Sequence, residues 1–292
     1  MKETFHIISD GSCDLPTGLV QEKNITVVPF YVSFDDEKYL KENVEIGIRD
    51  FYQQMVDRKG VYPKSSMPSA QDYMEVFLPC AREGIPVLCI CITAKFSGSL
   101  QSAVNARSLV LEDYPEAEIR VIDSTVDTVL QGLYVLEAVK LRDSGASCEA
   151  AAARLTQIGN TGRIFFTVGD MEYLQHGGRI GKVAAVAGSV LGIRPVITLK
   201  QGEIFPSGIG RGRKRTSEKA LELLVKYIQE SRMEIDRFSI TVGFGYDREE
   251  AEAFRDHAME ILRSKGHAIE EIPIYQIGAT IGVHTGPYPL GF

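Results

Sequence analysis

Short apolar runs alternate along the first half of the chain with longer segments in which apolar residues recur at helical spacing. The strand-like runs are FHIIS, ITVVPFYVSF, PVLCICI and IRVID, and helices are predicted near 46–58, near 70–82, after Ser97, near 126–142 and near 148–158. Strands that alternate with helices pair in parallel, because a helix supplies the long crossover that a parallel connection needs. The sequence therefore predicts an α/β fold with a mainly parallel sheet wound with helices.

The second half continues the alternation with a different spacing. Strands are predicted at IFFTV, RPVITLK, RFSITVGF and IPIYQI, and helices near 217–230 and 249–263. Turn residues at 160–162 separate the two halves, and 292 residues are enough for two cores. We therefore expect two α/β domains, an N-terminal one over residues 1–160 and a C-terminal one over residues 161–292. Glycine and proline crowd residues 276–292, which are predicted to be an irregular terminal loop.

The junction between a buried strand and an amphipathic helix at CICITAKFSGSL carries two hydroxyls and a glycine, namely Ser97, Gly98 and Ser99. A helix start presents unpaired N–H groups and the positive end of the helix dipole, so it suits an anion. That anion can be a phosphate, a carboxylate or an oxyanion formed by a nucleophilic serine. Capping of the helix is the structural alternative, although one cap needs only one hydroxyl.

Three further loops are rich in polar residues: Ser9–Asp14, Lys64–Ser69 and Val283–Pro287. The first two, like the serine junction, follow a strand or precede a helix, and open α/β sheets bind ligands at the carboxyl edge of their strands. We therefore expect these loops to converge. The alternatives are turn and N-cap roles for the first loop, an N-cap role for Ser69, and a packed surface position for His284.

Composition and motif spacing argue against several classes of function. A formal net charge of −7 disfavours nucleic acid or an anionic membrane as the main partner. No segment approaches the roughly 18 apolar residues of a transmembrane helix, and five cysteines without a regular framework fit reduced thiols, so we expect a cytoplasmic protein. Cys89 and Cys91 are interpreted as core residues, and no metal site is expected. The segment 177–183 is one residue short of a nucleotide phosphate loop, and Val183 replaces its magnesium-binding hydroxyl.

The polar motifs, taken in order, resemble the DegV family, bacterial proteins that serve as fatty-acid-binding subunits of fatty acid kinase. The segments that carry the resemblance are Asp10–Leu15, Ser65–Ser69, Ser97–Ala103, Val121–Ser124, Met171–Ile180, Leu191–Val196 and His284–Pro287. One such motif is weak evidence, but all of them in order are specific. The resemblance implies two α/β domains with a long-chain fatty acid buried between them. It also implies that the terminal loop returns to this site and that no cofactor besides the bound lipid is needed.

By position in those motifs, the resemblance implies that Ser65, Ser97 and His284 hold the fatty-acid carboxylate. Additional candidates for head-group or loop contacts are Ser66, Gly98 and Thr285. The chain departs from the family pattern at Ser65, where threonine is usual, and at Met67, where glutamine is usual. It also has Tyr288 and Pro289 where small residues are common.

The resemblance also implies a partner, a separate ATP-dependent fatty acid kinase that phosphorylates the bound carboxylate to an acyl phosphate for phospholipid metabolism. A chain without a nucleotide motif fits that division of labour, as a lipid carrier rather than an enzyme. Arg179 and Arg211 are candidate contacts for a phosphate or for the kinase, with solvated surface arginines as the structural alternative.

Two other functions stay open on the residues alone. Ser97 and His284 can be the nucleophile and base of a serine hydrolase, or parts of a phosphoryl-transfer enzyme, if they lie within hydrogen-bond reach. The basic run Arg211–Arg215 can instead dock a protein partner, as in a regulatory module.

Overall fold

The chain folds as two units, one formed by residues 1–47 and 64–162 and the other by residues 48–63 and 163–292. The computed structural model describes residues 3–185 and 193–292. The strands are β1 (His6–Asp10), β2 (Ile25–Val28), β3 (Tyr31–Ser33), β4 (Leu40–Lys41), β5 (Lys64–Ser66), β6 (Val87–Cys91), β7 (Ile119–Asp123), β8 (Ile164–Thr167), β9 (Ile193–Lys200), β10 (Glu203–Arg211), β11 (Val242–Phe244), β12 (Ile274–Gln276) and β13 (Leu290–Gly291). The α-helices are α1 (Thr17–Glu22), α2 (Ile48–Asp57), α3 (Ala70–Glu83), α4 (Ser99–Asp113), α5 (Thr128–Asp143), α6 (Cys148–Ile158), α7 (Glu172–His176), α8 (Arg213–Ser231), α9 (Arg248–Ser264) and α10 (Ala279–Thr285).

The first unit is built on a parallel sheet with the strand order β2–β1–β6–β7. Alternate side chains of β6 enter two different cores: Leu88 and Ile90 pack with α5 and α6, whereas Val87, Cys89 and Cys91 pack with α3 and α4. All five residues of β6 are buried, as expected for a parallel strand with helices on both faces. The predicted parallel sheet wound with helices is confirmed, and both cysteines of β6 are core side chains.

The run ITVVPFYVSF, predicted as one strand, forms two strands in different sheets. β2 ends at Val28, and β3 begins at Tyr31 in a small antiparallel sheet of order β4–β3–β5. Pro29 lies between them and has no N–H group to donate to a strand ladder, which explains the break. The small sheet places Ser65 of β5 opposite Val32 of β3.

The second unit contains a mixed sheet of order β10–β9–β8–β13–β11–β12, covered by the apolar faces of α8 and α9. Helix α2 belongs to this unit, although its place in the sequence suggested the first domain. Its buried Tyr52 packs against α10, where a Cβ atom added to Gly282 would lie 2.8 Å from the tyrosine hydroxyl oxygen. The sequence does not predict that α2 belongs to the second unit, because the contact between α2 and α10 joins segments more than two hundred residues apart.

The prediction of an irregular loop at residues 276–292 is wrong in part, since this segment contains helix α10 and strand β13. β13 pairs antiparallel with β8 on one side and with β11 on the other, so it is an interior strand of the sheet. Gly291 fits there because it lacks a side chain: a Cβ atom at this position would lie 2.4 Å from the carbonyl oxygen of Phe165. A two-residue strand with a glycine carries no periodic signal that sequence reasoning can detect.

Helix length and apolar character give no membrane-spanning candidate anywhere in residues 3–185 and 193–292.

Candidate functional site

The loop between β6 and α4 is held by two aspartate side chains from the strands on either side of β6. Asp10 ends β1 and accepts a hydrogen bond at Oδ2 from the N–H of Ile92, at 2.9 Å. Asp123 ends β7 and accepts at Oδ2 from the N–H of Ala94, at 3.3 Å. The carboxyl edge of the parallel sheet therefore fixes the start of the loop that carries Ser97.

Ser97 and Ser99 have different surroundings. Ser97 is half-buried, and its Oγ accepts a hydrogen bond from the N–H of Ser99, at 3.2 Å. The bond satisfies the first amide of α4, so Ser97 caps the helix as the structural alternative expected. It uses only a lone pair of the oxygen, and the hydroxyl hydrogen can still be donated to an anion. Ser99 is fully buried, with its Oγ 2.7 Å from the Tyr73 hydroxyl and 2.8 Å from Asp10 Oδ2. Its hydroxyl is therefore a structural group.

The segment that carries Ser65 and Ser66 reaches the Ser97 turn through Met67. Ser65 is half-buried and Ser66 is exposed on β5. A Cβ atom at Gly98 would lie 2.6 Å from the sulfur of Met67, so the glycine permits this close packing. Within the first unit, the two hydroxyl loops therefore lie side by side.

The capping alternatives for the other loops have different outcomes. Ser69 is the N-cap of α3 and forms a capping box with Asp72, with the Ser69 Oγ accepting from the Asp72 N–H at 3.2 Å, so this interpretation is confirmed. Asp10 precedes a 3₁₀ turn at Gly11–Cys13 but makes no side-chain capping bond there. Side-chain capping is therefore wrong for Asp10, although this residue occupies the N-cap position of the turn.

Asp10 is the centre of a buried polar network that sequence reasoning missed. Its Oδ1 lies 2.8 Å from both the Ser12 hydroxyl and the Gln131 amide nitrogen, and its Oδ2 accepts from the N–H of Ile92 and contacts the Ser99 hydroxyl. Burial raises the pKa of Asp10, and the hydrogen bonds, the one from Gln131 first, act in the opposite direction. A polar Gln131 among the apolar residues of α5 was the signal available in the sequence.

His284 lies in the last turn of α10 and packs on the end of α7. A Cβ atom at Gly177 would lie 2.1 Å from Nδ1 of the ring, which shows how closely the imidazole approaches that backbone. Burial, and next the charge of Arg179, lower the pKa of His284 to about 4, while a hydrogen bond with the Gly177 backbone acts in the opposite direction. The imidazole is therefore neutral at pH 7. The neighbouring Thr285 is buried and donates its hydroxyl hydrogen to the carbonyl of Ile281, at 3.0 Å.

The basic run at residues 211–215 is not one uniform surface. Arg213 forms a forked ion pair with Glu250, with both N···O distances at 2.7 Å, and donates to the carbonyl of Tyr288 at 2.7 Å. Arg211 and Arg215 instead line a surface groove of about 460 Å³. The groove is lined by Ile209, Gly210, Arg211, Arg215, Glu218, Lys219 and Glu222. The structure therefore does not support docking of a protein partner by the whole run 211–215, because Arg213 in its middle is engaged in contacts within the second unit.

The predicted site residues divide between the two units. The first unit contains Ser65, Ser66, Ser97 and Gly98, and the second contains Arg179, Arg211, His284 and Thr285. Arg179 is exposed and donates to the carbonyl of Gly177 at 2.8 Å, next to the His284 ring. In the motif at 191–196, Leu191 and Gly192 lie outside the described residues. No group of three or more His, Cys, Asp or Glu side chains in the described parts of the chain is arranged to hold a metal ion.

Comparison with known proteins identifies the family. The model of the DegV family, described as one of uncharacterised proteins, matches residues 4–292. The chain belongs to the DegV family. A DegV domain-containing protein of Clostridium perfringens is 29% identical over 285 residues, which cover 97% of this chain and 94% of that protein.

Solved structures of DegV-family proteins share the fold over nearly the full length. A protein of Eubacterium ventriosum described as fatty acid (stearic acid)-binding is 43% identical, with a TM-score of 0.93, and the match covers 98% of this chain and 96% of that one. A DegV family protein of Thermus thermophilus described for fatty acid binding is 31% identical, with a TM-score of 0.83 and coverage of 99% and 98%. The α/β fold predicted from the sequence is thus confirmed by experimentally solved relatives.

Proposed function

We propose that this DegV-family protein binds a long-chain fatty acid and presents its carboxylate to a separate ATP-dependent fatty acid kinase. The observation that carries the proposal is the match to the stearic acid-binding protein, at 43% identity over nearly the whole chain. The half-buried hydroxyl of Ser97 at the start of α4 supports it, because this is a suitable donor for an anionic head group.

The proposed carboxylate ligands are Ser65, Ser97 and His284, with Ser66, Gly98 and Thr285 as additional head-group or loop contacts. The Ser97 hydroxyl can donate its hydrogen while its lone pair accepts from α4. His284 is neutral at pH 7 because of its lowered pKa, so its ring has one N–H group, and the proposal requires the tautomer in which this N–H faces the carboxylate rather than the Gly177 backbone. The acyl chain supplies most of the affinity, since each buried methylene contributes about 0.8 kcal/mol, and the polar groups orient the head.

The proposed partner supplies the nucleotide chemistry. The chain has no phosphate loop of its own, and the bound fatty acid is its ligand rather than a cofactor. Arg179, exposed and close to His284, and Arg211, exposed at the end of β10, are the proposed contacts for a phosphate or for the kinase. An ATP-using partner places this step in the cytoplasm.

Mass spectrometry of bound lipid tests the binding part of the proposal. The purified protein is extracted with organic solvent, the extract is analysed for fatty acids, and delipidated protein is titrated with palmitate and oleate. We expect co-purified fatty acid and saturable uptake. The absence of fatty acid from the extract, together with no uptake of either lipid, would refute the proposal. Labelling of Ser97 by a fluorophosphonate probe, with turnover of esters, would instead identify a serine hydrolase.

The kinase part is tested by comparing two losses in the same variant. We expect His284→Ala to reduce acyl phosphate formation by an added bacterial fatty acid kinase and ATP more than it reduces fatty-acid affinity. The reason is that an N–H group beside the carboxylate can stabilise charge that develops during phosphorylation. Turnover is measured at saturating lipid, with Ser97→Ala for comparison. Equal proportional losses in both assays would make His284 a simple binding residue.

A further inference from the structure

Three side chains under the Ser97 turn contact one another in a closed triangle. Ser12 Oγ lies 2.8 Å from Asp10 Oδ1 and 2.6 Å from Gln131 Oε1, and Gln131 Nε2 lies 2.8 Å from Asp10 Oδ1. Asp10 and Gln131 are completely buried, and so is Ser12. At these distances each of the three contacts needs one hydrogen atom between its heavy atoms.

If Asp10 is ionised, the three side chains have too few hydrogen atoms for the three contacts. The amide of Gln131 supplies the hydrogen for its contact with Asp10, but Ser12 has a single hydroxyl hydrogen for two acceptor oxygens. Rotating the Gln131 amide by half a turn moves the shortage to the contact between Gln131 Oε1 and Asp10 Oδ1. One additional proton on Oδ1 of Asp10 satisfies all three contacts in either orientation.

The surroundings of the triangle favour a neutral acid. The titratable side chains that face Asp10 are Tyr73 on α3, Cys13 on the 3₁₀ turn and Cys91 on β6, and Asp123 at the end of β7 holds the same loop. Two further carboxyl groups, Asp14 after the same turn and Asp127 at the start of α5, lie on the elements packed against it. None of these groups is a cation that could compensate a buried carboxylate. Burial accordingly raises the pKa of Asp10.

We propose that Asp10 is a protonated carboxylic acid that positions the Ser97–Ser99 turn for anion binding. Oδ1 donates its proton within the triangle, while Oδ2 accepts from Ile92 and Ser99, whose own N–H holds Ser97. The inference rests on the proposed function, because the benefit of neutrality is that Asp10 adds no negative charge behind a turn that binds a carboxylate.

Asp10 also makes binding depend on pH. When pH rises above the pKa of Asp10, the proton is lost, a charge appears behind the turn, and one contact of the triangle joins two acceptors. Fatty-acid affinity of the native protein should therefore fall in alkaline solution. Asp10→Asn keeps a neutral group of the same shape. The fatty-acid affinity of this variant at pH 7 should therefore stay within threefold of the native value. At higher pH it should not show the decrease in affinity that is expected of the native protein.

Carbon NMR of protein labelled at the aspartate side-chain carboxyl carbon tests the protonation state directly. Through-bond correlations assign Asp10 in the native chain, so the assignment does not depend on a variant that folds. The matched control is Asp113, an exposed aspartate at the other end of α4. We expect Asp10 to show the carboxylic acid shift at pH 7. The backbone amide signals of Ser97 and Ser99 should then change together with that resonance at higher pH.

The outcomes separate this inference from the proposed function. A carboxylate shift for Asp10 at pH 7, or a loss of affinity greater than tenfold in Asp10→Asn, would overturn the inference while native binding still supports the function. If the native protein takes up no fatty acid, the proposed function fails, and the NMR titration still decides whether Asp10 carries a proton.

Discussion

At the scale of single residues, the two serine hydroxyls at the start of α4 have different roles. Ser99 is buried between Tyr73 and Asp10, where an unpaired hydroxyl would be costly. Ser97, two positions earlier, is half-buried and uses its lone pair on the Ser99 amide, so its hydrogen can still meet a ligand. The geometry thus explains why this junction needs both serines.

Replacing Ser97 with alanine should weaken fatty-acid binding without abolishing it. The variant loses one hydrogen bond to a charged group, which costs roughly 1.5–3 kcal/mol, or about 10- to 150-fold in affinity. Isothermal titration with palmitate measures the change. Ser108→Ala is the matched control, because that exposed hydroxyl on the same helix donates only to the carbonyl of Val104. An unchanged dissociation constant for Ser97→Ala would exclude the serine as a carboxylate ligand.

His284 should make stability depend on pH in the mildly acidic range. Its pKa in the folded protein is about 4, below the ordinary 6.5, so the unfolded chain binds the proton more readily. The contribution of His284 is complete above pH 6.5 and is lost as pH falls toward 4, by up to about 1.4 kcal/mol for each pH unit. Chemical unfolding at several pH values should show a shallower slope for His284→Gln than for the native protein. Equal slopes in the native protein and in His284→Gln would contradict the prediction.

At the scale of elements, the sequence predicted long periodic segments well and short or tertiary features poorly. The helices that became α3 and α6 occur where the periodicity placed them, because an amphipathic face of several turns is a strong signal. β13 was missed since two residues have no period, and the grouping of α2 was missed since it depends on distant packing. At the candidate site, Ser97 was visible as part of a strand–helix junction. The buried network of Asp10 is not predictable from the sequence, because its partner Gln131 lies 121 positions away.

The packing of α10 on the end of α7 gives a test of how the histidine is held. Gly177 has ordinary helical backbone angles, with φ at −72°, so alanine there is limited only by the imidazole ring. Gly177→Ala should displace His284, cost about 1–3 kcal/mol of stability by overpacking, and raise the pKa of the ring toward its ordinary value. Imidazole NMR titration and thermal unfolding measure both effects. Gly18→Ala in α1, with no atom within 4 Å of the added methyl group, should be neutral or stabilising. An unmoved histidine pKa in Gly177→Ala would show that the ring tolerates the methyl group.

At the scale of the whole molecule, each unit has its own hydrophobic core. The first unit has two cores, one on each face of the parallel sheet, formed by residues between 5 and 155. The core of the second unit joins α8 and α9 to the mixed sheet and includes Leu290 and Phe292. The last residues of the sequence are therefore structural parts of the second unit, in the middle of its sheet.

Deleting residues 290–292 should unfold the second unit and leave the first unit folded. The deletion removes β13 from between β8 and β11, together with the paired backbone bonds between Phe165 and Phe292 at 2.9 and 3.0 Å. It also removes two buried side chains, Leu290 and Phe292, from the core of the second unit. Burial of each contributes about 1.5–3 kcal/mol, and the free energy of unfolding of a domain is typically about 5–15 kcal/mol. Hydrogen exchange with mass spectrometry should show lost protection in β8 and β11 but retained protection in β1 and β6. Tyr288→Ala, at an exposed side chain just before the strand, serves as the control and should keep protection in both units. Native protection throughout the deleted chain would mean that β13 is dispensable for the sheet.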